Sequence, residues 1–267
     1  MTGRRGAVTP PPPPEPLPVS EAFAEAAGSC IFCPTEADRA HLAERDPALG
    51  RLMTALGPLT RARMPDPFMA LAHAIAGQQI SGAAHATVWR RLLDAFPCFT
   101  PQKLACAPPE ALRACGLSGR KAGYILEIAR RAACGELDLA GLAALDDAAL
   151  CAALCELPGV GLWTAEMLMI FCLGRKDVLS LVDFGIRKGL RMLYNKRELT
   201  PAFLARCKKR YSPCASAASL YLWALAGGAG GPDYSDPAQK KKPAKSRARK
   251  GGAHSRGRNA KAQQRKG

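Results

Sequence analysis

No stretch of this chain is apolar for long enough to cross a membrane. The longest candidate, residues 160–173, is interrupted by Glu166 and falls short of the ~20 apolar residues a spanning helix needs. The N-terminus carries Arg4 and Arg5 and then five prolines at 10–14, without the apolar core of a secretory leader. A soluble chain with no membrane partner is expected. Sustained period-two alternation is missing too, which argues against a fold built on half-buried strands. The eleven cysteines are odd in number and scattered, and Cys151, Cys155 and Cys172 fall in apolar helical surroundings, the pattern of reduced thiols. Cys30 and Cys33 form one C-x-x-C with His41 beyond it. No second half supplies the four ligands of a zinc knuckle, so no metal is expected.

Acids are absent from residues 240–267, which hold twelve Lys or Arg. The net charge of +16 therefore leaves only +4 on the remaining 239 residues. A polycationic tail on a mildly basic body points to a polyanionic partner, nucleic acid before a membrane surface. "KKKPAKSRARK" reads as a nuclear import signal, a DNA tether or both, with a solvated charge run as the plain alternative. A nucleus is the expected compartment.

What the chain has in quantity is helical spacing. Amphipathic or apolar helical runs cover 68–77, 83–96, 108–115, 120–134, 145–156, 161–173, 184–194, 201–209 and 216–226. The expected fold class is all-α, with eight to ten helices in a domain spanning 46–230. Residues 1–45 are expected as a Pro-rich, largely disordered arm and 231–267 as a basic disordered tail.

One connection stands apart. In "LPGVGLWTAEM", residues 157–167, a turn with two glycines runs straight into an apolar helix. Gly159 and Gly161 let the backbone take positive φ and let another molecule approach closely. The free N–H groups at the start of the second helix then form an anion site. A helix–turn–helix connection with glycine C-capping explains the same residues without a ligand.

"LPGVGLWTAEMLMIF" resembles the helix-hairpin-helix of the base-excision DNA glycosylases. The likeness extends, in the family's order, through "MALAHAIAGQQISGAAHATVWRRL", "LRACGLSGRKAGYILEIA", "KDVLSLVDFGIRKGL" and "YSPCASAASLYLW". It is closest to the alkylpurine, 3-methyladenine type II group. The resemblance implies the helix-hairpin-helix glycosylase fold, action as a monomer on double-stranded DNA containing a damaged base, and no cofactor. It implies phosphate contacts at Gly159, Gly161 and Thr164, and a wedge at Gln78 and Gln79 that fills the duplex when a base is flipped out. Members that also cut the strand carry a lysine two residues after the last hairpin glycine. Trp163 stands there, and an indole forms no Schiff base, so a monofunctional enzyme is expected. Only Cys207 and Cys214 lie where some relatives hold a four-cysteine iron–sulfur cluster, so none is expected.

Asp183 precedes the helical run "FGIRKGLRML". By position it is a helix N-cap, and by resemblance it is the catalytic carboxylate. The two roles are compatible, because capping fixes the carboxylate while Arg187 and Lys188 are expected nearby. An alkylated purine already bears positive charge and leaves as a neutral base, so one carboxylate suffices where glycosidases use two. Trp163 and Trp223 match family pocket aromatics, with Tyr221 and Met167 as further candidates. A cationic ring over an indole gains about 0.5–2 kcal/mol. Two core tryptophans would look the same in sequence. The chain departs from its relatives at Val182, where many have a second acid, and at Ala215, where many have arginine. Other base specificities (uracil, hypoxanthine, mismatches) and a lesion-binding protein with weak catalysis therefore stay open.

Overall fold

A computed structural model describes residues 31–239. Twelve α-helices carry nearly all the regular structure among them. In chain order they are α1 (Glu36–Arg45), α2 (Pro47–Leu56), α3 (Pro67–Gly77), α4 (Gly82–Ala95), α5 (Pro101–Ala105) and α6 (Pro109–Ala114). The set continues with α7 (Gly119–Ala133), α8 (Asp147–Cys155), α9 (Leu162–Phe171), α10 (Phe184–Leu193), α11 (Pro201–Tyr211) and α12 (Ala215–Ala226). Beside them, β1 (Ile31–Phe32) and β2 (Arg61–Ala62) form one short antiparallel ladder. Two residues per strand are too few to show a period.

Helix starts follow from local chemistry. Thr35, Asp46, Asp66, Ser81, Thr100, Ser118, Asp146, Asp183 and Thr200 each accept a backbone N–H of the helix they precede. Proline follows four of these caps, at 47, 67, 101 and 201, where its missing N–H costs nothing. Helices α3 to α9 pack mainly among themselves, while α1, α2, α10, α11 and α12 gather in a second group. One continuous core runs through both. The chain starts in the second group, builds the first, and returns through residues 172–183. Asp183 stands where that return ends.

The expected boundary at residue 45 moves. Residues 31–45 belong to the fold: Leu42 is fully buried, and His41 Nε2 lies 3.0 Å from the Ser212 carbonyl. The next residue, Asp46, is gripped by Arg210 Nη1 at 2.9 Å and by the Tyr194 hydroxyl, which also meets Tyr211 Oη at 2.7 Å. A helix reading "EADRAHLAER" with one fully buried position looks like a solvated linker by composition. Its attachment is polar and long-range. At the other end, Asp236 is buried in a two-bond pair with Arg191 (2.8 and 2.9 Å), so the packed chain runs past the expected limit of 230. The expectations for residues 1–30 and 240–267, including Cys30 and the basic run, lie outside the described residues.

Candidate active site

The hairpin comes first. Its turn joins α8 to α9, and Gly159 has φ +79°, a left-handed conformation that side chains other than glycine rarely adopt. A Cβ at this position would also lie 2.2 Å from the Tyr124 ring. Gly161 differs. As the N-cap of α9 it has φ −98° and ψ 175°, ordinary extended backbone, and a Cβ there would meet nothing within 4 Å. The fold therefore does not require glycine at 161. No side chain caps α9, so its first turn keeps the N–H groups and positive end that a helix N-terminus offers to an anion.

The α3–α4 loop is tied to this hairpin. Gln78 Nε2 donates to the Gly159 carbonyl at 2.8 Å and to Thr164 Oγ1 at 3.4 Å. Lys121 Nζ donates to the carbonyls of Ala76 (2.8 Å) and Gln78 (2.5 Å), closing the end of α3. Gln79 is exposed and left-handed, φ +55°. The two glutamines, alike in sequence, separate: Gln78 is a strut and Gln79 is the projecting residue. Thr164 is buried and acts as an acceptor for the strut.

Asp183 caps α10 and is 5% exposed. Its Oδ1 accepts from Ile186 N at 2.7 Å and from Trp223 Nε1 at 2.8 Å, and its Oδ2 accepts from Trp163 Nε1 at 2.6 Å. Both tryptophans expected beside a base thus hold the carboxylate by their N–H edges, bonds of the stronger, charge-assisted kind. Arg187 and Lys188 do not pair with it. They donate to the carbonyls of Leu181 (3.2 Å) and Ala226 (2.6 Å). Trp223 is buried with Phe171 against it, ring centroids 5.5 Å apart, whereas Trp163 is only half-buried. Met167 is buried one turn along α9 from Trp163.

Tyr221 lies elsewhere. It is fully buried and donates to the Gly57 carbonyl at 3.0 Å. Two helical positions from Trp223 is a rotation of about 200°, so the two side chains leave α12 on opposite faces. Ala215 is likewise fully buried.

Two supports were not apparent in sequence. Gly185 and Gly189 let α10 meet α12 closely: added Cβ atoms would lie 2.7 Å from Trp223 Cδ1 and 2.4 Å from the Leu222 carbonyl oxygen. The four-residue spacing in "GIRKG" is the signal that was there to be read. Ser216 and Ser219 of α12 bind the approach to Asp183, Ser216 Oγ accepting from Val178 N (3.0 Å) and Ser219 Oγ donating to the Val178 carbonyl (3.2 Å).

Comparison with known proteins is in line with this geometry. Residues 72–212 match the model of the HhH-GPD superfamily base excision DNA repair proteins. The chain is 31% identical over 212 residues to DNA-3-methyladenine glycosylase 1 of Schizosaccharomyces pombe, covering 76% of this chain and 91% of that one. It is similar to the crystal structure of a DNA-3-methyladenine glycosidase from Bacillus halodurans (TM-score 0.67, 32% identity, 74% of this chain and 92% of that one). It is also similar to the S. pombe 3-methyladenine DNA glycosylase in complex with abasic DNA (TM-score 0.62, 29% identity, 74% of this chain and 99% of that one).

Proposed function

The chain belongs to the HhH-GPD superfamily of base excision DNA repair proteins, and from that premise we propose that it is a monofunctional DNA glycosylase acting on alkylated purines in duplex DNA. The observation that carries this reading is Asp183, fixed by three N–H donors, two of them the indoles of Trp163 and Trp223.

In this reading a DNA phosphate meets the free N–H groups of α9 in front of Gly161, where a Cβ would stand in open space. Gln79, projecting from a loop strutted by Gln78 and Lys121, fills the gap left by the flipped nucleotide. The half-buried Trp163 offers a ring face to the cationic base, while Trp223, covered by Phe171, serves the carboxylate. As the N-glycosidic bond breaks, its electron pair goes to the purine, which leaves neutral. Positive charge gathers on the sugar, and water adds at C1′ and gives up a proton to the solvent. A fixed carboxylate beside that carbon stabilises the developing cation without having to reorganise. No second carboxylate is needed to protonate a leaving group that already carries charge.

The protein acts as a monomer and leaves an abasic site on an intact strand, since Trp163 stands where a lyase has its amine. The basic tail adds affinity for DNA and suits a nuclear location. Duplexes bearing one methylated purine are expected to release free base, with no enzyme–DNA adduct trapped by borohydride. Release of uracil or of mismatched bases with the methylated purine left in place would replace this specificity by another. A trapped adduct would end the monofunctional assignment.

A further inference from the structure

Glu166 takes no part in the proposed chemistry, yet it is a half-buried carboxyl group on the same helix as Trp163, which holds Asp183. It lies on α9 three residues after Trp163, so the two side chains leave the helix on nearly the same face. Trp163 Nε1 donates to Asp183 Oδ2 at 2.6 Å. Glu166 Oε2 accepts from Ser180 Oγ, also at 2.6 Å. Ser180 is fully buried, and its carbonyl accepts the Asp183 N–H at 3.1 Å. One face of α9 therefore grips both ends of the four-residue turn 180–183. We propose that Glu166, acting through Ser180, is a positioning residue for the Asp183 carboxylate.

The alternative anchors for this turn are few. Leu181 packs half-buried against the core and its carbonyl accepts from Arg187, whereas Val182 is 54% exposed and adds no packing. At its two ends the turn is held by side-chain hydrogen bonds, the cap at Asp183 and the Ser180–Glu166 bond. Without that bond, the end of the turn opposite the cap loses its side-chain hold. The electrostatics agree: burial pushes the Glu166 carboxyl above its ordinary range, and the charge of Asp183 pushes the same way. The Ser180 hydroxyl and Lys208 of α11 oppose it, and Cys151 of α8 lies within its electrostatic reach.

The proposal rests on the glycosylase reading only for its kinetic consequence, and the test separates the two. The chain has three tryptophans, so indole N–H signals in a ¹H–¹⁵N spectrum report on Trp163 and Trp223, with Trp89 as the distant control. Glu166→Ala and Ser180→Ala are each expected to shift the Trp163 and Trp223 signals and leave that of Trp89 in place. Both are expected to slow single-turnover excision by about tenfold or more at saturating enzyme, as small misplacements of reacting groups do. The double variant should be no slower than the slower single. Glu166→Gln, whose amide oxygen still accepts from Ser180, should keep the indole signals and stay within about threefold of the parent rate. Unmoved indole signals in both alanine variants would overturn the proposal, as would additive rate losses or a glutamine variant as slow as alanine. If the parent protein released no methylated purine, the glycosylase reading would fall and the indole signals alone would decide the positioning role. Should Glu166→Ala not fold, Ser180→Ala and Glu166→Gln carry the same test.

Discussion

Asp183 accepts three N–H bonds with two oxygens, and this sets what a substitution there can do. As an N-cap, asparagine serves about as well as aspartate, so capping alone predicts a harmless change. In the folded protein the amide oxygen can serve Ile186 N and Trp223 Nε1, but the amide nitrogen then faces Trp163 Nε1, donor against donor. Asp183→Asn should therefore lose stability by about 1–3 kcal/mol, the range for a buried donor left unmet, read as a lower midpoint in thermal melting. In the glycosylase reading, the opposing charge is also lost, and single-turnover excision should fall at least ~100-fold with DNA binding retained. Near-normal excision by a folded variant would leave Asp183 a cap and nothing more.

At the scale of elements, the hairpin and the loop beside it make separable predictions. Gly159→Ala places a Cβ into the Tyr124 ring at a left-handed φ. It should destabilise the free protein by more than the ~1–2 kcal/mol of the backbone conformation alone. Gly161→Ala meets no atom and should cost the free protein no more than about 1 kcal/mol, the loss of a favourable N-cap residue, yet weaken binding to duplex DNA if a phosphate occupies that space. Equal DNA affinity for the parent and Gly161→Ala would remove the phosphate from this position. Helices α3 and α4 carry a second device. His73 and His85 stack with ring centroids 4.1 Å apart, and neither buried Nε2 atom finds a partner. Burial, with His85 adding to it, holds His73 down at about 3, against 6.5 for the free side chain. Burial also lowers His85, as does Lys121. Because the folded value lies below the unfolded one, the unfolded chain binds more protons between those limits. The stability contribution is thus complete above about pH 6.5 and is lost as pH falls toward 3. Chemical denaturation at pH 7.5 and pH 5 should show this loss, and His73→Leu should flatten it. A variant with the same pH dependence as the parent would exclude the pair as its source.

For the whole molecule, charge is distributed unevenly, with twelve Lys or Arg in residues 240–267 and no acid. Each phosphate neutralised adds about 0.9 to the slope of log affinity against log salt on duplex DNA. The Arg191–Asp236 pair shows where a cut should fall, because removing Asp236 would take the carboxylate from a half-buried arginine as well as shorten the chain. Deleting 240–267 should flatten the salt slope and weaken binding at low salt, while excision at saturating enzyme stays near the parent rate. An unchanged slope would take the tail out of DNA binding.

The helices were legible in the sequence because their signals are local. Caps at Ser, Thr and Asp, prolines at first turns and apolar spacing act within a few residues, and the runs read from them coincide with α3, α4 and α6 to α12 within a few positions. The hairpin was legible for the same reason, since a left-handed turn restricts Gly159 by its own backbone. Sequence also placed Asp183 at a cap, which is a local fact. What it could not supply was partnership across distance. That the two indoles face one carboxylate by their edges depends on α9 and α12 closing on α10, over separations of 20 and 40 residues. That Tyr221 turns away from Trp223, and that Gln78 braces the hairpin while Gln79 projects, depends on which face of each element meets a neighbour. The polar attachment of α1 through Asp46, Tyr194 and Arg210 joins residues more than 140 positions apart. Local free energies are written along the chain, so sequence alone determined the elements and the candidate carboxylate. Which side chains share that carboxylate was decided only when the tertiary structure closed, because hydrogen bonds between distant residues are set by packing and not by spacing.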